Sequence, residues 1–268
     1  MSYETHFYNS RWWVTLNGRL LAGYNANELR PYVFPFYSPN GALVLQESPP
    51  DHPHHQGICV GLEVDGHDIW NAGSFGKERH RQEMQPELKE LKPEIDDGGA
   101  TLSHSVSWKT EGGEALLSEE RRIRFSNTGT LNLVSWHSTF TAVGTTVLGQ
   151  TKESGIGVRV PPHWETEWGG TIRNADGQIG EGNTFDRMSP WVNVQGTALG
   201  QEKAGVILRP LPQSEPCPWF TRDYGPQLYN PLRHHALELS DGESFSWDLD
   251  VAAYDGDRSI ADIATLLA

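Results

Sequence analysis

Two cysteines in 268 residues, Cys59 and Cys217, stand too far apart to form a metal-type or redox-type pair. Neither a zinc motif nor a dithiol centre is written in the sequence. Basic residues are scarce as well: 21 Lys and Arg face 35 Asp and Glu, a formal net charge of −14. A field of that sign repels polyanions, and no basic cluster with interleaved aromatics offsets it. Nucleic acid and acidic membrane surfaces are therefore not expected partners. No apolar run approaches the length that spans a bilayer. The opening MSYETHFYNS carries neither the basic nor the apolar stretch of a secretory leader, so the expected location is the cytoplasm. Phosphate-cradling glycine loops, dinucleotide fingerprints and GxSxG elbows are all missing, which argues against nicotinamide-bound hydride transfer and serine-nucleophile hydrolysis. No cofactor is expected.

What is abundant is aromatic and turn-forming: Trp 10, Tyr 8, Phe 9, Gly 28 and Pro 17. Aromatic runs punctuated by Gly and Pro read as strands. RWWVTL (Arg11–Leu16) and RLLAGY (Arg19–Tyr24) flank Asn17-Gly18, the strongest short hairpin signal. GICVGLEV (Gly57–Val64) runs into Asp65-Gly66 and HDIW, and TLSHSVSW (Thr101–Trp108) stops at Glu111-Gly112-Gly113 before ALLSEERRIRF. LNLVSWHSTFTAV, GIGVRV, PWVNVQG, AGVILRP, HALEL and FSWDLDVAAY follow. The charge-rich segment Glu78–Gly99 with Pro86 and Pro93 reads as an exposed excursion with frayed strand character. In the tail, Ile260, Ile263, Ala264 and Leu267 keep helical spacing behind Asp257 or Ser259, which predicts one short C-terminal helix. Strand after strand without a βαβ rhythm predicts an all-β fold, a large two-sheet antiparallel sandwich spanning residues 1–268 as one domain. A chain of this length buries enough surface to fold without staples.

Four features carry chemistry. PPDHPHHQG (Pro49–Gly57) packs Asp51, His52, His54 and His55 into five positions. Histidine titrates near neutral pH and binds metals, so the cluster offers general acid/base groups, or a divalent-metal ligand set of His52, His54 and His55, or caps for a Pro-rich turn. Along the strand around His137 the faces alternate. Val134, Trp136, Phe140 and Ala142 suit a core, whereas Ser135, His137, Thr139 and Thr141 form a polar face that reads as the floor of a wet cleft or as an ordinary solvated surface. KESGIGVRV places Lys152 and Glu153 ahead of a glycine-punctuated strand bearing Arg159; Glu153 joins a site if it faces the cleft of His137. CPWFTRDYGPQLYNP gathers Trp219, Arg222, Asp223, Tyr224 and Tyr229. Aromatic platforms beside forked donors hold sugars, whose C–H faces stack while their hydroxyls seek bidentate partners; an Arg–Asp pair stapling a loop is the alternative. Arg30 and Tyr32 add further polar candidates for substrate binding.

Taken in order, RPYVFPFYSPNG, PPDHPHHQGI, WHSTF, KESGIGVRV, PWVNVQG and WFTRDYG resemble a bacterial family of uncharacterised proteins labelled the PmoA family, or methane oxygenase PmoA. The resemblance runs from about Arg30 to Tyr254 and implies a β-sandwich similar to the galactose mutarotase type. In mutarotases one His near a turn, a second His on a central strand and a late carboxylate surround the sugar. By position, His54 or His55 would match the first and His137 the second. The late Glu has no clear match, Glu238 and Glu243 being candidates only.

Residues and resemblance together lead to an expected non-redox carbohydrate-active enzyme of epimerase, lyase or hydrolase type. His54, His55, His137 and Glu153 would be its catalytic groups, with Arg30, Tyr32, Trp219, Arg222, Asp223 and Tyr224 positioning a small-molecule sugar. A metal-dependent enzyme using the same histidines, an oxygenase included, and a non-catalytic sugar-binding module are the competing expectations.

Overall fold

The structure is a computed structural model that describes residues 1–26, 30–70, 84–200, 202–214 and 216–267. Its first sheet has eight antiparallel strands, in spatial order Tyr3–Tyr8, Arg11–Leu16, Arg19–Asn25, Tyr32–Phe36, Ile58–Gly61, Gly155–Arg159, Pro226–Tyr229 and Trp219–Thr221. The second runs Thr171–Asn174, Val192–Thr197, Lys203–Pro210, Ser244–Asp255, Leu131–Ala142, Ala115–Asn127, Gly99–Thr110 and Met84–Leu88, with Lys92–Asp96 also paired to Gly99–Thr110. A small third sheet joins Leu237–Leu239, Thr146–Leu148, Glu63–Val64 and His67–Asp68.

The turn chemistry acts as expected. Asn17 and Gly18 take φ of 50° and 73°, and Asp65 and Gly66 take 49° and 80°; positive φ at both central residues is the hairpin geometry that matches strand twist. The exposed excursion with strand character expected over Glu78–Gly99 holds from residue 84 on: Met84–Leu88 and Lys92–Asp96 are edge strands, the latter exposed along its whole length. Residues 78–83 lie outside the described residues. The C-terminal helix covers Ile260–Leu266, and Ser259 and Asp262 close a reciprocal capping box that satisfies two otherwise orphaned N–H groups. One helical turn not foreseen, Glu181–Thr184, lies close to the Asp223 loop.

Both large sheets feed one apolar core. Val33, Ile58, Val60, Ile156 and Val158 of the first meet Trp108, Phe125, Trp136, Phe140 and Val251 of the second. Because side chains alternate along a strand, each sheet also has an outer face. On the outer face of the first sheet Tyr32, Cys59, Trp70, Phe220 and Leu228 form a separate buried cluster. That second, smaller cluster is the foundation of the candidate site.

Candidate functional site on the outer face of the first sheet

The segment Pro49–His55 is a compact turn. His52 N–H reaches Pro49 O at 3.1 Å, His55 N–H reaches His52 O at 2.9 Å, and Ser48 N–H reaches His55 O at 2.9 Å. From below it is gripped by Arg30, which is fully buried and donates to the His54 carbonyl and, at 2.7 Å, to the Trp70 carbonyl. Its guanidinium also lies 5.2 Å from the centre of the Trp70 ring. Charge-assisted bonds of this kind are the strong ones. Arg30 is therefore a brace for the turn rather than a substrate ligand.

Above the brace three rings lie nearly parallel. His52 stacks on His55 at 4.7 Å and 9°, and on Tyr224 at 5.1 Å and 19°. His54 meets His52 and His55 edge to face. Arg159 and Arg222 place their guanidinium carbons 5.4 Å and 5.3 Å from the Tyr224 ring, a cation–π distance. Glycine makes the room: at Gly225, φ 118°, a Cβ would fall 2.9 Å from Arg159 Nε. Burial, and after it the charge of Glu153, raises the Tyr224 phenol, so its O–H stays a donor.

Each ring has a definite protonation role. Arg159 Nη1 lies 3.3 Å from His55 Nδ1; a guanidinium only donates, so Nδ1 accepts and the ring proton sits on Nε2. His52 Nδ1 lies 2.7 Å from Asp51. Burial works against the Asp51 charge, but the His52 N–H and Arg159 outweigh it and hold the carboxyl below the usual range. As a carboxylate it accepts, so His52 carries a proton on Nδ1, and Nε2 is the ring nitrogen turned away from Asp51. Glu165 takes Arg159 Nη2 at 2.8 Å, yet burial raises its carboxyl and Arg159 offsets this only in part. Two carboxyls on one guanidinium are thus pushed in opposite directions, the arrangement that separates acid from base roles.

Beside the stack opens a cleft of about 260 Å³ lined by Trp70, Glu63, Asp68, Glu153, Lys152 and Thr151 among others. Trp70 lies flat on the sheet because residue 61 is glycine; a Cβ there would sit 2.0 Å from the indole. Glu153 is a half-buried wall of this cleft, 3.6 Å from Lys152.

Several sequence expectations change in this light. His137 does not join the cluster. Its strand alternates as read, but Trp136 and Phe140 face the core, so His137 looks out from the far side of the second sheet, where it bonds Asp248 and lies 3.2 Å from Thr139. Alternation tells which residues share a face; it does not tell which cleft that face lines. Trp219 is no platform either: it is 1% exposed in the main core and donates to Ser189 O at 2.8 Å. Tyr32 is buried, with its hydroxyl spent on Glu47 and Asn25. Asp223 organises its own loop through Thr166 and the backbone of Glu181. Arg222 pairs with Glu181 at 3.1 Å and remains at the rim. Glu243 closes a turn on Ser240, and Glu238 is exposed on the small sheet. His54, His55, Glu153, Arg222 and Tyr224 do come together. His52, read as a member of a cluster offering acid/base groups or metal ligands and left out of the leading catalytic set, stacks on both His55 and Tyr224, while Arg159, Glu165 and Trp70 join without having been singled out. A divalent metal does not fit: the His52 and His55 rings stack instead of converging, and His55 Nδ1 is turned to a guanidinium. Among the described residues no group of three or more His, Cys, Asp or Glu could hold a metal ion.

Two buried histidines make stability depend on pH. Burial above all, then His54 and Arg159, pushes His55 far below its ordinary range, and burial with Arg121 pushes His104 down to about 4. Both titrate near 6.5 in an unfolded chain. Between pH 6.5 and about 4 the unfolded chain therefore binds two protons that the folded chain refuses, and stability falls as acid is added. The expected loss by pH 5 is about 2 kcal/mol per histidine. Urea midpoints measured from pH 7.5 to 5 should drop accordingly; a flat profile contradicts the neutral assignments.

Among solved structures, a galactose mutarotase related enzyme from Lactobacillus acidophilus is similar at 10% identity, covering 94% of this chain and 97% of that one, with a TM-score of 0.40. A heparan sulfate lyase mutant from Pedobacter heparinus is similar at 10% identity over 92% of this chain, with a TM-score of 0.37. An α-galactosidase from Geobacillus stearothermophilus in complex with raffinose is similar at 11% identity over 83%, with a TM-score of 0.36. The matched region is 30% of the lyase chain and 30% of the galactosidase chain. At these scores the likeness carries no argument about activity. No curated protein matches the chain in sequence. Over residues 11–268 the chain matches, and belongs to, a family of unknown function (DUF6807).

Proposed function

We propose that the protein acts on a carbohydrate or modified sugar by non-redox general acid/base chemistry centred on the Asp51–His52 pair. One observation carries this: the His55–His52–Tyr224 stack, flanked by Arg159 and Arg222, presents an aromatic shelf beside a base whose tautomer is fixed. A sugar ring offers C–H faces for such a shelf and hydroxyls for forked donors. Asp51 holds His52 Nδ1–H, so Nε2 takes a proton from a carbon beside a carbonyl, or from a hydroxyl, and returns it from the imidazolium so formed. The Tyr224 O–H, whose phenol is raised by burial, and the Arg159 and Arg222 guanidiniums beside it supply donors toward the oxygen that gains charge. Epimerisation, elimination and hydrolysis all draw on this set.

The test is incubation with a panel of reducing and keto sugars in deuterium oxide, followed by proton NMR. Deuterium incorporation beside a carbonyl, or a new product, is expected without any added cofactor. Binding with no exchange and no product across the panel would make the protein a sugar-binding module instead.

A further inference from the structure

Where turns of the two large sheets meet, a cavity of about 290 Å³ opens that shares no residue with the histidine stack. The first sheet contributes Arg19 and the Asn17-Gly18 hairpin, and the second contributes Asn127 and Asn132 on either side of a tight turn. Residues 38–41 close the third side. The frame is well bonded. Asn17 Oδ1 takes the Ser2 N–H at 2.9 Å, and Asn127 Oδ1 takes the Gly129 N–H at 2.8 Å. Asn132 receives the Asn127 amide at 2.7 Å and donates to Tyr37 O at 2.8 Å. Arg19 is different. Among the described residues it has no carboxylate partner, and its one hydrogen bond is long, Nη2 to Asn40 O at 3.4 Å. Arg11, Arg124, Arg159 and Arg209, by contrast, each hold a carboxylate at 2.7–2.9 Å. Gly41 makes room for the guanidinium: at φ 96°, a Cβ there would stand 3.3 Å from Arg19 Nη2. The Asn40 side-chain amide also has no hydrogen bond among the described residues. No Asp or Glu lines the cavity among the described residues, in a chain where 35 acidic residues outnumber 21 basic ones. Asp255 is not a lining residue, and its two oxygens are taken by the Ser38 hydroxyl and, at 2.8 Å, the Asn40 N–H.

The geometry points to this cavity as a second binding site, one for an oxyanion, carboxylate or phosphate, carried on a body no larger than one sugar ring. A guanidinium is a planar fork whose parallel N–H groups match two oxygens of such an anion, and charge-assisted bonds of this kind are the strong ones. Because Arg19 has no salt bridge to give up, the anion gains the contact without breaking one. The Asn40 amide stands next to the fork as a neutral donor, and Leu16 and Leu20 offer apolar wall to the rest of the ligand. At about 290 Å³ the cavity lies at the lower end of the roughly 300–1,000 Å³ typical of drug-sized pockets, which sets the size limit. The site requires neither Asp51 nor His52, so it stands apart from the acid/base chemistry above.

Calorimetric titration of the intact protein with inorganic phosphate, glucose 6-phosphate and glucuronate, and with glucose as the uncharged control, tests this. At least one of the anions should bind, and Arg19→Gln should weaken it by about tenfold or more, the weight of a hydrogen bond to a charged group, with no change in melting temperature. Arg19→Lys keeps the charge and loses the fork, so its affinity should fall between the two. Any binding of glucose at the histidine shelf should be the same in wild type and both variants. Phosphate as tight as glucose 6-phosphate identifies free phosphate as the source; a tighter hexose phosphate or glucuronate identifies an anion borne by a sugar. If none of the anions binds, or if Arg19→Gln and Arg19→Lys bind them as wild type does, the site is overturned and the carbohydrate reading is untouched.

Discussion

In the proposed acid/base chemistry His52→Gln is expected to lower turnover by roughly 10²–10⁴-fold, the contribution of a positioned acid/base group, and to leave the melting temperature nearly unchanged. The expectation follows from placement. His52 is half-buried and the most accessible member of the histidine cluster, whereas His54 and His55 are 8% and 3% exposed. Its Nδ1 is committed to Asp51, which leaves one ring nitrogen for substrate. Gln fills similar space and bonds Asp51, but cannot carry a proton in and out. Asp51→Asn should cost turnover as well, because a neutral amide no longer enforces the tautomer or stabilises the imidazolium. His55→Gln behaves differently: it loosens the Arg159 contact and changes stability more than turnover. Steady-state kinetics on the three variants separates the roles. Full activity in His52→Gln would remove the base from the scheme and leave the stack as a binding surface.

The contrast between His52 and His137 shows where the sequence was legible. The Asn17-Gly18 and Asp65-Gly66 turns, the alternation of Leu131–Ala142 and the capped tail are local signals, and each appears in place. The Asp51–His55 cluster is local too, which is why it stood out. The site, however, also needs Trp70, Arg159, Glu165 and Tyr224, brought in from segments up to more than a hundred residues away. No periodicity records which of two outer faces a polar side chain adorns, so His137 and Arg159 looked alike along the chain and sit on different sheets. Trp219 and Tyr224 were equally plausible platforms for the same reason. Three residues of strand and a turn separate the core-facing indole from the outward phenol. Glu165 follows a short 3-10 turn, Pro162–Trp164, and only its place beside Arg159 gives it meaning.

Arg121→Met should destabilise the fold by about 3–5 kcal/mol, the cost of breaking a buried ion pair from one side. Arg121 and Glu119 are both fully buried between the sheets and joined by two bonds, Nε to Oε1 at 2.7 Å and Nη2 to Oε2 at 2.8 Å. Glu119 also takes Trp108 Nε1 at 3.0 Å and the Ser138 hydroxyl. Without the guanidinium those neutral donors are left to hold a carboxylate in an apolar core, which they do poorly. Removing the charge as well, with Glu119→Leu in the Arg121→Met background, should restore much of the loss, because apolar replacement of a whole buried pair is often near neutral. Recovery stays incomplete for a reason that reaches the site. Arg121 Nη1 also donates to Tyr24 Oη at 3.2 Å and to Pro31 O at 3.1 Å. Pro31 lies between Arg30, which holds the His54 and Trp70 carbonyls, and Tyr32, which underlies the aromatic cluster. Losing that anchor slackens the brace beneath the histidine turn, so the double variant should fold and yet bind sugar more weakly than wild type. Urea denaturation of the two variants reads the first effect and ligand titration the second. A double variant no more stable than Arg121→Met alone would mean that the uncompensated Glu119 charge is not what unfolds the single variant.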